Sequence, residues 1–264
     1  MGKRYSKHKK QEKTSFQPKG IVGLLLLILL LVFGGTNTDQ IHEIAENMGY
    51  EQTEDVPDTG ETTQSHWYQS LPPYRGTPYA EVNHDIPFFS KKDKKRTNSF
   101  ENYSELDSLG RCGTAYANIC EELMPTNDRG DISRVKPSGW IQKKYKLNGK
   151  EKFIYNRSHL IAYSLAGEND NPLNLITGTD YFNHDGMIPF ETTVRDYIND
   201  NPSRHVLYRV TPVFEGNDLV ARGVLMEAWS VEDNGYGVQF CVFVYNVQPG
   251  ITMDYATGKT KKGK

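Results

Sequence analysis

The chain is 264 residues long, 37% hydrophobic and 24% charged, with 31 Lys and Arg against 33 Asp and Glu. That length accommodates one catalytic domain with a sizeable core plus an extension. The near-zero charge balance excludes recognition of nucleic acid by overall charge and leaves local basic patches, and three cysteines, odd in number, exclude a disulfide framework.

Residues 1–20 carry seven Lys or Arg against one acid, Glu12, and residues 21–35 are an uninterrupted apolar run without charge. Fifteen residues stand between a short membrane span and a long signal-peptide core. In either case the basic flank keeps the amino end cytoplasmic and sends everything after Gly35 across the membrane. No Ala-x-Ala type of cleavage site follows, so a retained single-pass anchor is the expectation, with a cleaved signal as the alternative. Residues 36–65 hold eight acids and no Lys or Arg, the composition of a flexible stalk.

From His66 onward there are 24 Lys or Arg and 24 Asp or Glu. Basic charge is concentrated at 91–96, at Lys143-Lys144-Tyr145-Lys146 and in a tail at 258–264, stretches able to track a nucleic-acid backbone. After a turn at 106–109, alternation at Arg111, Gly113, Ala115, Ala117 and Ile119 predicts a strand. Cys112 and Cys120 cannot pair across a regular segment, because eight residues span about 12 Å in a helix or about 26 Å in a strand. Any bridge would join Cys241 to one of them. Asp128-Arg129-Gly130-Asp131 is read as a turn.

Tyr155-Asn156-Arg157-Ser158-His159-Leu160 is the most informative stretch, and Asn183 follows 24 residues after the histidine. Phosphodiester hydrolysis needs a base for water, a cation for the phosphate and a metal ligand, which an imidazole, a guanidinium and an amide oxygen supply. Between them 168–172 is turn chemistry and 173–177 predicts a short strand. His184 is expected to point away from Asn183, as neighbours on an extended chain do. Behind Pro189, the residues Phe190, Val194, Tyr197 and Ile198 repeat at helical spacing, and the other face of that helix carries Glu191 and Arg195 one turn apart. Stretches 206–210, 219–229 and 238–247, with turns at Gly216-Asn217 and Asn234-Gly235, predict long strands. The fold class is α+β, a mainly antiparallel twisted sheet with flanking helices. Neither an internal repeat nor a phosphate-cradling glycine loop is present.

These residues resemble the DNA/RNA non-specific endonuclease family, the ββα-metal nucleases, whose Asp-Arg-Gly-His signature stands here as Asn156-Arg157-Ser158-His159. The chain is more similar to the secreted and membrane-anchored nucleases of Gram-positive bacteria, with their Asn-Arg-x-His-Leu-Ile motif. The likeness runs from Leu109-Gly110-Arg111 through Lys136-Pro137-Ser138-Gly139-Trp140 and Asn174-Leu175-Ile176-Thr177 to Tyr245-Asn246-Val247-Gln248-Pro249-Gly250. By this resemblance the hairpin and helix form a ββα-metal motif. His159 is implied as the general base, Asn183 as the one protein ligand of Mg²⁺, with Mn²⁺ as a substitute, and Glu191 as a residue ordering water at the metal. Arg157 and Arg195 are implied to stabilise phosphate charge, and Arg111, Lys143 and Lys144 are the candidate backbone contacts, with a structural role as the equal alternative for Arg111. Asn156 cannot supply the charge of the family's Asp, which leaves it an orienting hydrogen bond, and Ser158 in place of Gly implies that a positive φ is not needed there.

The expectation is therefore a nuclease domain at 66–257, acting outside the cell on DNA and RNA and leaving 5′-phosphate and 3′-hydroxyl ends, with no obligate protein partner evident. The alternative from another class is a cell-surface nucleic-acid receptor whose nuclease site is secondary or inactive. Intact His159, Asn183 and Glu191 weigh against an inactive site.

Overall fold

The computed structural model describes residues 68, 70–147 and 149–263. The basic stretch 1–20, the apolar run 21–35 and the acidic segment 36–65 lie outside them. Among the described residues no helix is long and apolar enough to cross a membrane.

The strands in chain order are β1 (Tyr79–Glu81), β2 (Phe100–Tyr103), β3 (Ala115–Ile119), β4 (Lys144–Leu147), β5 (Lys150–Phe153), β6 (Tyr155–His159), β7 (Leu175–Thr179), β8 (Val206–Val213), β9 (Gly223–Ser230), β10 (Gln239–Tyr245), β11 (Ile251–Met253) and β12 (Thr260–Lys262). The helices are α1 (Tyr163–Ala166) and α2 (Ile188–Asp200), the latter continuing from a π-helical segment, Phe182–Met187. Six strands form an antiparallel sheet in the order β1-β10-β9-β8-β3-β2, and β4–β5, β6–β7 and β11–β12 form separate two-stranded ladders. The architecture is α+β and mainly antiparallel, as the strand and helix periodicities predict.

The two-residue period of a strand sorts the central sheet into two faces. Tyr208, Val210, Val224, Met226, Ala228, Val242 and Val244 fall on one side with Val194, Tyr197 and Ile198 of α2 and with Leu160, Phe182 and Met187. Leu207, Leu225, Cys241 and Phe243 fall on the other, beneath Val82, Phe89 and Val231. Full burial contributes roughly 1.5–3 kcal/mol per large apolar side chain, so α2 is held by its Val194-Tyr197-Ile198 stripe. Its opposite face is left for chemistry.

Two buried amides and one closely packed glycine fix the β6–β7 ladder. Asn246 accepts from the Thr179 N–H at 3.0 Å and donates to the carbonyls of Thr177 and Ala221, both at 3.0 Å, so one amide ties β7 to the approach to β9. Asn174 holds the end of β6 the same way, accepting from Ile161 N–H at 2.8 Å and donating to its carbonyl at 3.0 Å. Gly178 pairs with Asn156 across the ladder, and a Cβ there would lie 2.3 Å from Ser158 Oγ and 2.6 Å from the Phe182 ring.

Several expectations are corrected. The strand at 173–177 is displaced to β7, because Pro172–Asn174 forms a 3₁₀ turn in which the Asn171 side chain accepts from Leu173 N–H. Arg111 and Gly113 precede β3 rather than belong to it. Leu219 and Val220 donate to the Tyr255 carbonyl, which delays β9 to Gly223. Within the basic tail, β12 pairs with β11, and the Tyr145 hydroxyl bonds the Thr260 carbonyl. Cys112, Cys120 and Cys241 are all free and buried, so no bridge joins Cys241 to either of the others.

Candidate active site

His159 closes β6 and is 7% exposed. Its Nε2 stands 2.8 Å from the Asn169 carbonyl oxygen. A carbonyl can only accept, so Nε2 carries the hydrogen and Nδ1 is left with its lone pair. Burial lowers the ring's pKa from 6.5 to about 4; the nearby Arg129 charge acts in the same direction, and the bonds to the Asn169 and Glu168 backbone oppose it. The ring is thus held neutral with one nitrogen able to accept a proton.

Asn183, in the π-helical segment, and Glu191, in the first turn of α2, line the same cleft of about 860 Å³ as His159. Neither side chain has a hydrogen-bond partner within the described protein. Burial pushes the Glu191 carboxyl up from 4.5 to about 8, against the opposing charge of Arg129. Among the described residues no group of three or more His, Cys, Asp or Glu is placed to hold a metal, so a chelating cage is absent there. One amide oxygen and one carboxyl group, both hard oxygen donors and both without protein partners, fit a divalent metal ion that keeps most of its waters.

Arg157 and Arg195 line this cleft as well. Arg157 stacks 4.2 Å from the Trp140 ring and donates from Nε to the Val135 carbonyl and from Nη2 to the Ser133 carbonyl at 2.7 Å. It therefore anchors the preceding loop, with its other donors uncommitted. Arg195 pairs with its neighbour Asp196 at 2.8 Å, not with Glu191.

Of the two roles open to Arg111, phosphate contact and structure, its contacts are structural. Its Nε lies 2.6 Å from Asp107 Oδ2, its Nη1 donates to the carbonyls of Gly216 and Asp218, and the guanidinium covers Phe214. These inward contacts fasten two loops together, away from the cleft. Lys143 and Lys144 also stand outside the cleft lining, their Nζ atoms over Tyr145 at 5.0 Å and Phe153 at 4.6 Å. His184 does not point away as expected. The chain there is π-helical, not extended, and His184 lines the cleft with Nδ1 3.1 Å from the Asp180 carbonyl. Asn156 donates to Asp180 Oδ1 at 3.4 Å, an orienting contact, and Ser158 is not among the residues with positive φ.

Arg129 is the residue that sequence reasoning passed over. Its stretch has no regular structure, yet it lines the cleft and places Nη2 3.4 Å from His159 Nδ1. The loop is seated by Gly130 N–H donating to Asn169 Oδ1 at 3.1 Å, so Asn169 positions both the histidine and the arginine. No periodicity marks such a residue, since contacts across 36 and 39 positions, from Tyr163 to the Asn127 carbonyl and from Gly130 to Asn169, seat its loop.

The family model for DNA/RNA non-specific endonucleases matches residues 90–232, more than half of the chain, and the chain belongs to that family. A deoxyribonuclease of Streptococcus dysgalactiae subsp. equisimilis is 28% identical over 209 residues, which cover 63% of this chain and 62% of that protein. The chain thus matches less than two thirds of that relative's length. The crystal structure of NucA from Streptococcus agalactiae with magnesium bound aligns with a TM-score of 0.63 at 28% identity, over 74% of this chain and 92% of that one. Sda1 nuclease with bound zinc aligns with a TM-score of 0.55 at 30% identity, over 62% and 82% of the two chains.

Proposed function

We propose that the chain is a Mg²⁺-dependent, sugar-non-specific endonuclease that hydrolyses phosphodiester bonds of DNA and RNA. The observation that carries this reading is the tautomer of His159. With Nε2–H bound to Asn169, Nδ1 keeps the lone pair that can accept a proton, with Arg129 Nη2 3.4 Å from it, in a cleft that also presents Asn183 and Glu191.

In this reading a phosphate is drawn to Arg129, Arg157 and Arg195, whose N–H donors match its oxygens. His159 Nδ1 takes a proton from the water that attacks phosphorus. Arg129, beside that nitrogen, steadies the charge that develops on the phosphate. Asn183 would hold Mg²⁺ through its side-chain oxygen and Glu191 would order its hydration; when bound, the ion would supply Lewis-acid stabilisation of the departing oxygen. None of these groups reads a base edge or a 2′-hydroxyl, which supports a substrate range spanning DNA and RNA. The apolar run at 21–35 supports action outside the cell by an anchored domain.

Digestion of plasmid, heat-denatured DNA and RNA by the full-length chain, with and without Mg²⁺ and across a salt series, tests this. Metal-dependent degradation of all three, falling steeply with salt, is the expected result. Discrete fragments at one short sequence, or binding without cleavage, would overturn it, the second in favour of a surface receptor.

A further inference from the structure

Two of the large apolar side chains that line the cleft are exposed, and phosphate and metal do not account for them. Phe153, the last residue of β5, is 53% exposed, and Ile188, at the start of α2, is 37% exposed. Both line the cleft. All four residues of β5 are exposed, and the apolar contact to the core is made by the next residue, Ile154. Phe153 is therefore not part of the core.

Lys144 is the register partner of Phe153 in β4, and its Nζ stands 4.6 Å from the ring centroid. The lysine does not line the cleft, whereas Phe153 does. Single exposed apolar residues are ordinary on protein surfaces. This one instead lines the cleft that Arg129, Arg157, Arg195 and Glu191 also line. Those four address phosphate and metal, and the nucleobases are the flat apolar components of a nucleic acid.

We infer that Phe153 is a nucleobase-stacking site, with Ile188 as a second apolar contact, that receives a base of a single-stranded segment beside the scissile phosphate. The inference rests on the endonuclease reading. Stacking on a ring is tolerant of base identity, because every base has a π-face. It discriminates strandedness instead, since a base in a duplex must leave its own stack before it can meet the ring.

The test is kcat/KM of the full-length wild-type chain and of Phe153→Ala, Phe153→Leu and Phe153→Trp on a single-stranded oligonucleotide and on its duplex. Ala and Leu should lower the single-strand value roughly tenfold, mostly through KM, with a smaller loss on duplex, so the single-to-duplex ratio falls. Trp should restore the ratio. Leu keeps the apolar bulk without the ring, so a wild-type ratio in Phe153→Leu would overturn the inference. Should wild-type protein cleave neither substrate, the endonuclease reading fails, and quenching of a 2-aminopurine oligonucleotide decides the stacking site by itself. Quenching by wild type and its loss in Phe153→Leu supports the site, and equal fluorescence in both overturns it.

Discussion

Arg129 Nη2 and His159 Nδ1 stand 3.4 Å apart, although the residues are separated by 30 positions and come from a loop and a strand. Because Nε2 is committed to the Asn169 carbonyl, the guanidinium lies against the one nitrogen able to accept a proton. In the proposed reaction, a phosphate bound by Arg129 would thereby lie next to the base.

Arg129→Ala should lower kcat/KM by about 10²–10³, the usual loss when one preorganised donor to developing charge is removed. Arg129→Lys should recover part of it, since an ammonium supplies charge without the planar fork. Steady-state cleavage of a labelled oligonucleotide measures both. Activity within a fewfold of wild type in Arg129→Ala would make the contact structural only.

Removing the base should separate cleavage from binding. His159→Ala is expected to lose roughly 10²–10⁴ in kcat while circular dichroism and DNA affinity at high Mg²⁺ stay near wild type. Retained kcat would dismiss His159 as the base.

The histidine also has a pH signature. Its folded pKa of about 4 lies below the ordinary 6.5, so an unfolded chain takes up a proton in this window that the native ring refuses. Its contribution to stability is present above pH 6.5 and is lost as pH falls through about 4. Thermal melts from pH 7 to 4 should show a smaller decline for His159→Gln than for wild type. Parallel declines would contradict the burial-driven shift.

Metal dependence should follow Glu191, whose carboxyl is raised to about 8 by burial. A protonated carboxyl does not favour a cation, so half-saturating Mg²⁺ should fall as pH rises from 6 toward 8. Glu191→Gln should flatten that slope, and Asn183→Ala should raise the Mg²⁺ requirement and lower the maximal rate at every pH. An unchanged titration in Asn183→Ala would place the ligand elsewhere.

Arg111 should behave as a structural residue. Arg111→Ala removes two bonds to carbonyls and the pair with Asp107, and about 1–3 kcal/mol of stability should go with them. Its kcat/KM at a temperature where the variant is folded should match wild type. A selective rise in KM with an unchanged melting temperature would return Arg111 to phosphate binding.

Local rules made much of this protein legible in its sequence. The alternation of β8, β9 and β10, the Val194-Tyr197-Ile198 stripe and the turns at Gly216 and Asn234-Gly235 are patterns of a few residues, set by the periods of strand and helix. The same short-range geometry put Glu191 and Arg195 on the open face of α2, one turn apart, where both line the cleft with His159, Asn183 and Arg157. Tertiary structure decided what has no period. Asn169, through its carbonyl and its side chain, selected the tautomer of His159 and brought Arg129 beside it. Carbonyls of a distant turn drew Arg111 inward, and pairing with β11 made a strand of a tail that composition marked only as basic. Irregular backbone takes its shape from whichever distant donors and acceptors satisfy it, and those partners are chosen only when the chain is folded.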